Sequence, residues 1–244
     1  MNTLITVCAR GGSKGIPGKN IKILNKKPLI YYSLKLADIY ASENPGVQIY
    51  LSTDSDEIKQ TVRACNLKTV STEYDRPAEL ATDNSGKIGV LNDVRLYAER
   101  ENKIIYDYIL DLDVTSPLRT IQDIQTAFGL LRSNKEAINI FSVNEANRNP
   151  YFNMVEKRPN SEFIQLVKEG EFVTRQSAPK VYDMNASFYI YRRSFFENHM
   201  TSPITPKTLI YQMPHICFDL DHPLDYDFMS FLMEKDKLDF NFLQ

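Results

Sequence analysis

The residue types best suited to chemistry cluster near the start of the chain. Four of the nine glycines fall between Gly11 and Gly18, with Arg10, Lys14 and Lys19 interleaved and Ser13 and Asn20 alongside. Glycine lets backbone N–H groups approach an anion closely, and the cations neutralise its charge, so ARGGSKGIPGKN reads as a phosphate cradle. A flexible surface turn is the plain alternative. Two familiar nucleotide loops are excluded: the GxGxxG spacing is absent, and a P-loop would carry glycine at Ser13 and Ser or Thr at Asn20. Near the other end, Asp219 and Asp221 stand two apart. In a strand their carboxylates share one side, and oxygen ligands at that spacing suit Mg²⁺, which keeps several waters and bridges carboxylate to phosphate. An Asp-x-Asp pair is as often a solvated strand end.

These groups need elements to position them. Thr3 to Cys8 is a β-rich run opening onto the glycine loop, and Pro28 to Ala41 carries Leu29, Tyr32, Leu36 and Ile39 at helical spacing. Val47 to Ser52 predicts a second strand, after which Asp54 could cap a helix through Glu57 and Val62. Ser85 to Arg100 and Ile121 to Leu131 read as helices, and Tyr106 to Leu112, Ala137 to Val143, Phe188 to Tyr191 and Ile216 to Leu220 as strands. Pro223 opens a last helix whose apolar face is Leu224, Phe228, Phe231 and Leu232. Recurrent βα units imply a mostly parallel, three-layer α/β sheet, in which ligands sit at the carboxyl ends of the strands.

The chain of 244 residues fits one large α/β domain. From about 148 to 185 the pattern loosens into polar, proline-punctuated sequence, which reads as an inserted arm whose apolar residues are buried against something, such as a second subunit. Basic residues number 29 and acidic ones 31, so the net charge of -2 gives no global attraction for nucleic acid or an anionic membrane. No apolar run approaches the roughly 18 to 20 residues of a spanning helix. Cys8, Cys65 and Cys217 form no CxxC pair, which fits core thiols in the cytoplasm and gives no zinc signature. His199, His215 and His222 form no metal-spaced set.

The glycine loop resembles the signature loop of the acylneuraminate cytidylyltransferases, the CMP-sialic acid synthetases and their relatives. The likeness recurs in the family's order: Arg76-Pro77-Ala78-Glu79-Leu80-Ala81 followed by Asp83, then Thr115-Ser116-Pro117-Leu118-Arg119. Next come the stretch from Arg175 through Pro179 to Asn185 and Tyr189, and Phe218-Asp219-Leu220-Asp221 with Asp225. The resemblance implies a nucleotide-diphospho-sugar transferase-like fold with a small dimerisation arm, hence a homodimer. It also implies attack of the anomeric hydroxyl of a 2-keto sugar acid on the α-phosphorus of CTP, with pyrophosphate leaving and no covalent enzyme intermediate. Positioning and cations should dominate such a reaction.

By the same resemblance, Arg10, Ser13, Lys14 and Asn20 contact the triphosphate with Lys19 beside them, and Arg76 and Ser85 hold cytosine and ribose. Asp219 and Asp221 bind Mg²⁺ and, with Lys14 and Arg10, form the catalytic set; Asp225 supports the pair. Asp113, Arg175, Asn185 and Tyr189 face the sugar. Two departures bear on which sugar. The family usually has Gln where this chain has Asp113, so an anion replaces an amide; it either meets a different donor on the sugar or joins the metal site with Asp111. A Lys common in the sialic acid enzymes is replaced within Asn149-Pro150-Tyr151-Phe152-Asn153, which hints at a less hydroxylated, more acylated sugar. Both features most resemble the CMP-legionaminic acid synthetase branch, whose substrate is a diacetamido trideoxy nonulosonic acid. Sialic, pseudaminic and 3-deoxy-octulosonic acids are the alternatives, and a catalytically silent nucleotide-binding module on the same fold is a further one.

Overall fold

The computed structural model describes residues 1–12, 15–82, 85–174, 176–238 and 240. Ser13, Lys14, Asp83 and Arg175, singled out above, lie outside the described residues. The glycine loop follows β1 (Thr3–Cys8), in which Thr3 to Val7 are all buried. Alternate residues of that strand feed different cores: Ile5 and Val7 join one apolar cluster, Leu4 another. A strand with both faces dry needs helices on both sides, and the chain supplies them. On one side α1 (Leu29–Glu43) and α4 (Ile121–Ser133) pack Leu34, Ala37, Phe128 and Leu131 into the first cluster. On the other, α3 (Lys87–Asn102) and the short α5 (Arg193–Glu197) bring Leu91, Val94, Ala98 and Phe195. Each fully buried leucine, valine or phenylalanine among them contributes roughly 1.5–3 kcal/mol, so helix, sheet and helix form three layers.

The remaining strands of the main sheet are β4 (Val47–Ser52), β5 (Val70–Ser71), β6 (Tyr108–Leu112), β7 (Asn139–Glu145), β10 (Tyr182–Arg192) and β11 (Thr208–Gln212). Their order, β11-β7-β10-β6-β1-β4-β5, makes seven strands, with β10 alone running antiparallel to its neighbours. Two small two-stranded sheets stand apart: β2 (Ile23–Leu24) with β3 (Lys27–Pro28), and β8 (Val155–Lys157) with β9 (Ile164–Leu166). Among the described residues no helix is long and apolar enough to cross a membrane.

Four local expectations change. Asp54 does not cap α2 (Asp56–Ala64); Ser55 does, its Oγ accepting from Ile58 N at 3.4 Å, because the helix begins one residue later. No strand forms over Ile216 to Leu220: the seventh strand is β11, paired with β7, and the later segment crosses the strand ends, where Leu220 N donates to the Thr115 carbonyl. Asp219 and Asp221 are therefore set by loop contacts and not by a pleat. The last helix, α6 (Pro223–Glu234), turns Tyr226 and Met229 inward, leaving Leu224, Phe228 and Phe231 exposed by 76%, 46% and 50%. Finally, β10 starts at Tyr182, inside the stretch expected to be loose, and carries a bulge between Met184 and Tyr189 with Ala186 at φ 55°. A left-handed alanine is unusual, and such bulges re-aim side chains beside functional sites.

Candidate active site

The carboxyl ends of β1 and β6 meet at a cleft of about 340 Å³ lined by Arg10, Gly15, Lys19, Asn20, Thr115 and Asp221. A neighbouring cleft of about 320 Å³ is lined by Arg76, Leu80, Thr82, Ser85 and Lys87, and the two share Cys8, Arg10 and Asp113. The glycine loop is held in place from below and from the side. Ala9 N donates to the Ser52 carbonyl, Gly11 N to Asp54 Oδ1 at 2.9 Å, and Asn20 Nδ2 to the Arg10 carbonyl at 2.9 Å. Gly18 turns through a left-handed φ of 62°. Gly15 passes so close to the opposite wall that a β-carbon there would stand 2.5 Å from the Asp221 carbonyl oxygen. Lys19 Nζ closes the loop onto Asp221 Oδ1 at 3.1 Å. A strand end, a tight loop and cations facing one space can bind a polyanion.

Arg76 is not a surface charge. It is buried, its Nε and Nη2 donating to Ser52 Oγ at 3.0 Å and the Ser52 carbonyl at 2.7 Å, so its side chain braces the end of β4. Ser85 donates to the Glu79 carbonyl at 2.6 Å and sits 2.7 Å from Thr82 Oγ1, which folds this wall of the second cleft.

The carboxylates are joined through the Thr115 to Arg119 turn. Thr115 Oγ1 lies 2.9 Å from Asp113 Oδ1 and 3.3 Å from Asp219 Oδ1, so one hydroxyl proton serves two anions. Ser116 Oγ is 2.6 Å from Asp219 Oδ1. Burial raises the Asp219 carboxyl above its usual range; the Ser116 hydroxyl opposes that, while the nearby Asp113 and Asp221 add to it. Asp221 is the more exposed of the pair, and Asp225 Oδ2 fixes its backbone by accepting from Asp221 N at 3.0 Å and His222 N at 2.7 Å. Arg119 is fully buried and shapes the turn. Its guanidinium donates to the Asp113 and Ser116 carbonyls, both at 2.5 Å, and to Ser187 Oγ at 2.8 Å and Ser33 Oγ at 3.1 Å. A planar fork suits such a ring of acceptors.

Lys87, which the sequence reading passed over, anchors the other side. Its Nζ lies 2.7 Å from Asp111 Oδ2 and 2.8 Å from Asp113 Oδ2. Thr6 Oγ1 donates to the other oxygen of Asp111 at 3.0 Å. Burial works against the ammonium, but the two carboxylates hold its pKa well above the ordinary lysine value. For Asp113 burial is likewise outweighed, by Lys87 and by the Thr115 N–H and hydroxyl, and its carboxyl lies far below the usual range. Cys8 beneath them is pushed up to about 12 by burial, with Asp111 adding to the effect. A signal for Lys87 was present: Asp111 stands in a wholly buried strand, and a buried carboxylate calls for a cation.

Among the expected residues, Arg10, Lys19, Asn20, Arg76, Ser85, Asp113 and Asp221 line the paired clefts, and Asp219 joins them through Thr115. Tyr189 reaches them through Lys87, whose ammonium lies 5.6 Å from its ring centre. Asn185 is tied inward: its Oδ1 accepts from Ser142 Oγ at 2.6 Å and its Nδ2 donates to Asn144 at 2.6 Å. Among the described residues no set of three or more His, Cys, Asp or Glu side chains gathers as a metal cage.

A cytidylyltransferase family model matches residues 4–236. Post-translational flagellin modification protein B of Campylobacter coli is 37% identical over 238 residues, covering 96% of each chain. CMP-N,N'-diacetyllegionaminic acid synthase of Campylobacter jejuni is 39% identical over 234 residues, covering 94% of each. Among solved structures, CMP:2-keto-3-deoxy-manno-octonic acid synthetase complexed with CTP superposes with a TM-score of 0.68 at 16% identity, covering 97% of this chain and 100% of that one. The last likeness confirms the α/β fold, with helices on both faces of a mostly parallel sheet.

Proposed function

Since the chain belongs to the cytidylyltransferase family and is a nucleotidyltransferase, we propose that it transfers CMP from CTP to the anomeric hydroxyl of N,N'-diacetyllegionaminic acid, releasing pyrophosphate. The 39% identity to a synthase of that product, over nearly the whole of both chains, carries the choice of sugar. The paired clefts support it. The triphosphate lies along Arg10, Lys19 and Asn20, the resemblance adding Ser13 and Lys14 from the same loop sequence, and the nucleoside enters the wall of Arg76 and Ser85. The sugar occupies the side of Asp113 and Tyr189, with Asn185 behind it.

The donor set at Asp219 and Asp221 fits Mg²⁺. Both are hard oxygen donors; Asp219 has its carboxyl raised by burial and by neighbouring anions, the condition a cation relieves, and Asp221 opens to the cleft. Two protein carboxylates, completed by phosphate oxygens and waters, is the usual way this ion is held. When bound it would neutralise charge on the phosphates and favour ionisation of the attacking hydroxyl. Arg10 and Lys19 meanwhile orient the triphosphate, and Thr115 and Ser116 hold Asp219 in place.

We infer also that the protein works as a cytoplasmic homodimer joined through the arm at about 148 to 185. Exposure of Phe163 by 75%, Ile164 by 59% and Val173 by 87% supports that face, and free thiols at all three cysteines support the compartment. A monomeric mass at micromolar concentration counts against the dimer.

Pyrophosphate release with CTP, Mg²⁺ and a panel of nonulosonic acids tests the activity. Release should be fastest with the diacetylated legionaminic acid. A much higher kcat/KM with sialic acid would overturn the choice of sugar, and no release with any acid would favour a silent module.

A further inference from the structure

Lys87 lies in the first turn of α3, on the wall of the second cleft, and Asp219 lies beyond the Thr115 turn, yet a continuous polar chain joins them. Lys87 Nζ donates to Asp113 Oδ2 at 2.8 Å. The other oxygen of Asp113 accepts from Thr115 N at 2.9 Å and lies 2.9 Å from Thr115 Oγ1. Thr115 in turn meets the aspartate segment twice: its hydroxyl oxygen stands 3.3 Å from Asp219 Oδ1, and its carbonyl accepts from Leu220 N at 2.9 Å. The side chain and both backbone groups of one residue therefore link Asp113, just past β6, to the segment that carries Asp219 and Asp221.

What holds Asp113 decides where Thr115 sits. Asp111 and Asp113 share the Lys87 ammonium. Asp111 Oδ2, buried and without a hydrogen-bond partner among the described residues, meets Nζ at 2.7 Å as an ion pair. That buried anion keeps the cation from turning away to solvent, and the cation keeps Asp113 turned toward Thr115. Without the ammonium two like charges face each other, and Asp113, 21% exposed against 0% for Asp111, is the one with room to swing out. Thr115 would then lose the acceptor of its N–H, and Asp219 would depend on Ser116, whose hydroxyl also reaches the Asn185 carbonyl at 2.6 Å. We propose that Lys87 is a positioning residue for Asp219, acting through Asp113 and Thr115. This rests on the magnesium role proposed above for Asp219 and adds a distant side chain that keeps its carboxylate in place.

Calorimetry of CTP binding to the full chain, in Mg²⁺ and in EDTA, measures how far the ion strengthens nucleotide binding, with no turnover involved. In the wild type that gain should be about 10-fold or more. Lys87→Met/Asp111→Asn removes the cation and one anion together, so the net charge is kept and Asp113 and Thr115 stay intact. Thr115→Val removes only the hydroxyl. Each should cut the gain to about 2-fold, while CTP affinity in EDTA changes by less than about 2-fold. Combining the two should lower the gain no further, because residues acting in one chain are not additive. Thr115→Ser, which keeps the hydroxyl, should retain most of the gain, and thermal melting confirms that each variant is folded. A full gain in the folded Lys87 variant, additive losses in the combined variant, or an equal loss in EDTA overturns the positioning role. No gain in the wild type overturns the magnesium reading instead, so the two failures are distinguishable.

Discussion

The two sides of the cleft are built differently. On the side proposed for the nucleotide, one short stretch, Arg10 to Asn20, supplies the charged groups, and its internal bond from Asn20 to Arg10 spans only 10 residues. On the side proposed for the acceptor the polar groups come from far apart: Ser116 meets Asp219 across 103 residues, and Arg119 meets Ser187 across 68. The first side sets Arg10 and Lys19 against the exposed Asp221, an arrangement that suits a polyanion with its counter-cation. The second is a buried polar network in which hydroxyls, one lysine and one arginine hold three aspartates in fixed positions. A mobile anion can be held by a contiguous loop, whereas discrimination between similar sugars needs rigid groups in fixed geometry.

The largest break should come where the two sides meet. Asp221→Asn is expected to lower kcat about 10²- to 10³-fold with the melting temperature nearly unchanged, because the exposed carboxylate serves substrate and not the core. A near-normal rate at saturating Mg²⁺ would argue against coordination. Arg119→Met attacks the acceptor network alone: it strips donors from two carbonyls and two hydroxyls in a dry site, and should cost roughly 3 kcal/mol of folding stability by denaturant titration. Arg119→Lys should recover little, since a point donor cannot span the ring. If the chain tolerates lysine, the turn is held by packing.

Gly15→Ala probes the nucleotide side. Its β-carbon would meet the Asp221 carbonyl, so the loop or the wall must shift, and kcat/KM for CTP should fall on the order of 10-fold with smaller effects on the sugar KM. Equal changes in both constants would blur the division drawn above.

The smallest effect lies behind the acceptor side, where His215 Nε2 sits 2.9 Å from Asp123 Oδ2 and Tyr211 donates to Asp123 Oδ1 at 2.8 Å. Burial lowers the His215 pKa, but its bonds to Asp123 and the Ile216 carbonyl win and raise it above 6.5. Its contribution is therefore complete below the unfolded value and is lost as pH rises through the folded one. Burial would raise Asp123, yet the His215, Thr120 and Tyr211 donors hold it below 3.8, so its contribution is lost as pH falls through that lowered value. The pair is worth most between about pH 4 and 6.5, on the order of 1 kcal/mol for a partly exposed contact. His215→Gln should flatten the decline of melting temperature above pH 6.5; an unchanged slope would show that other groups set it.

Much of this was legible in the residues, and the parts that were not share a cause. Val47 to Ser52 and Thr3 to Cys8 were readable because buried parallel strands are continuous apolar runs. Ile216 to Leu220 has the same look without the pairing, with Leu220 buried and Ile216 exposed, and local composition does not distinguish the two. Of the expected apolar stripe of α6, Leu232 packs against the core while Leu224, Phe228 and Phe231 are exposed, because periodicity finds a face more readily than its direction.

Sequence alone determined the family, because its motifs are contiguous stretches of neighbours in the chain, and from them come the proposed phosphate role of Arg10 to Asn20 and the proposed metal role of Asp219 and Asp221. Only the tertiary structure decided that Arg76 braces Ser52, that Asp113 is bound by Lys87, and that Thr115 joins Asp113 to Asp219. Those partners stand 24, 26 and up to 104 residues apart. Charge compensation in a buried site is a matter of distance in space, and the folded sheet sets that distance.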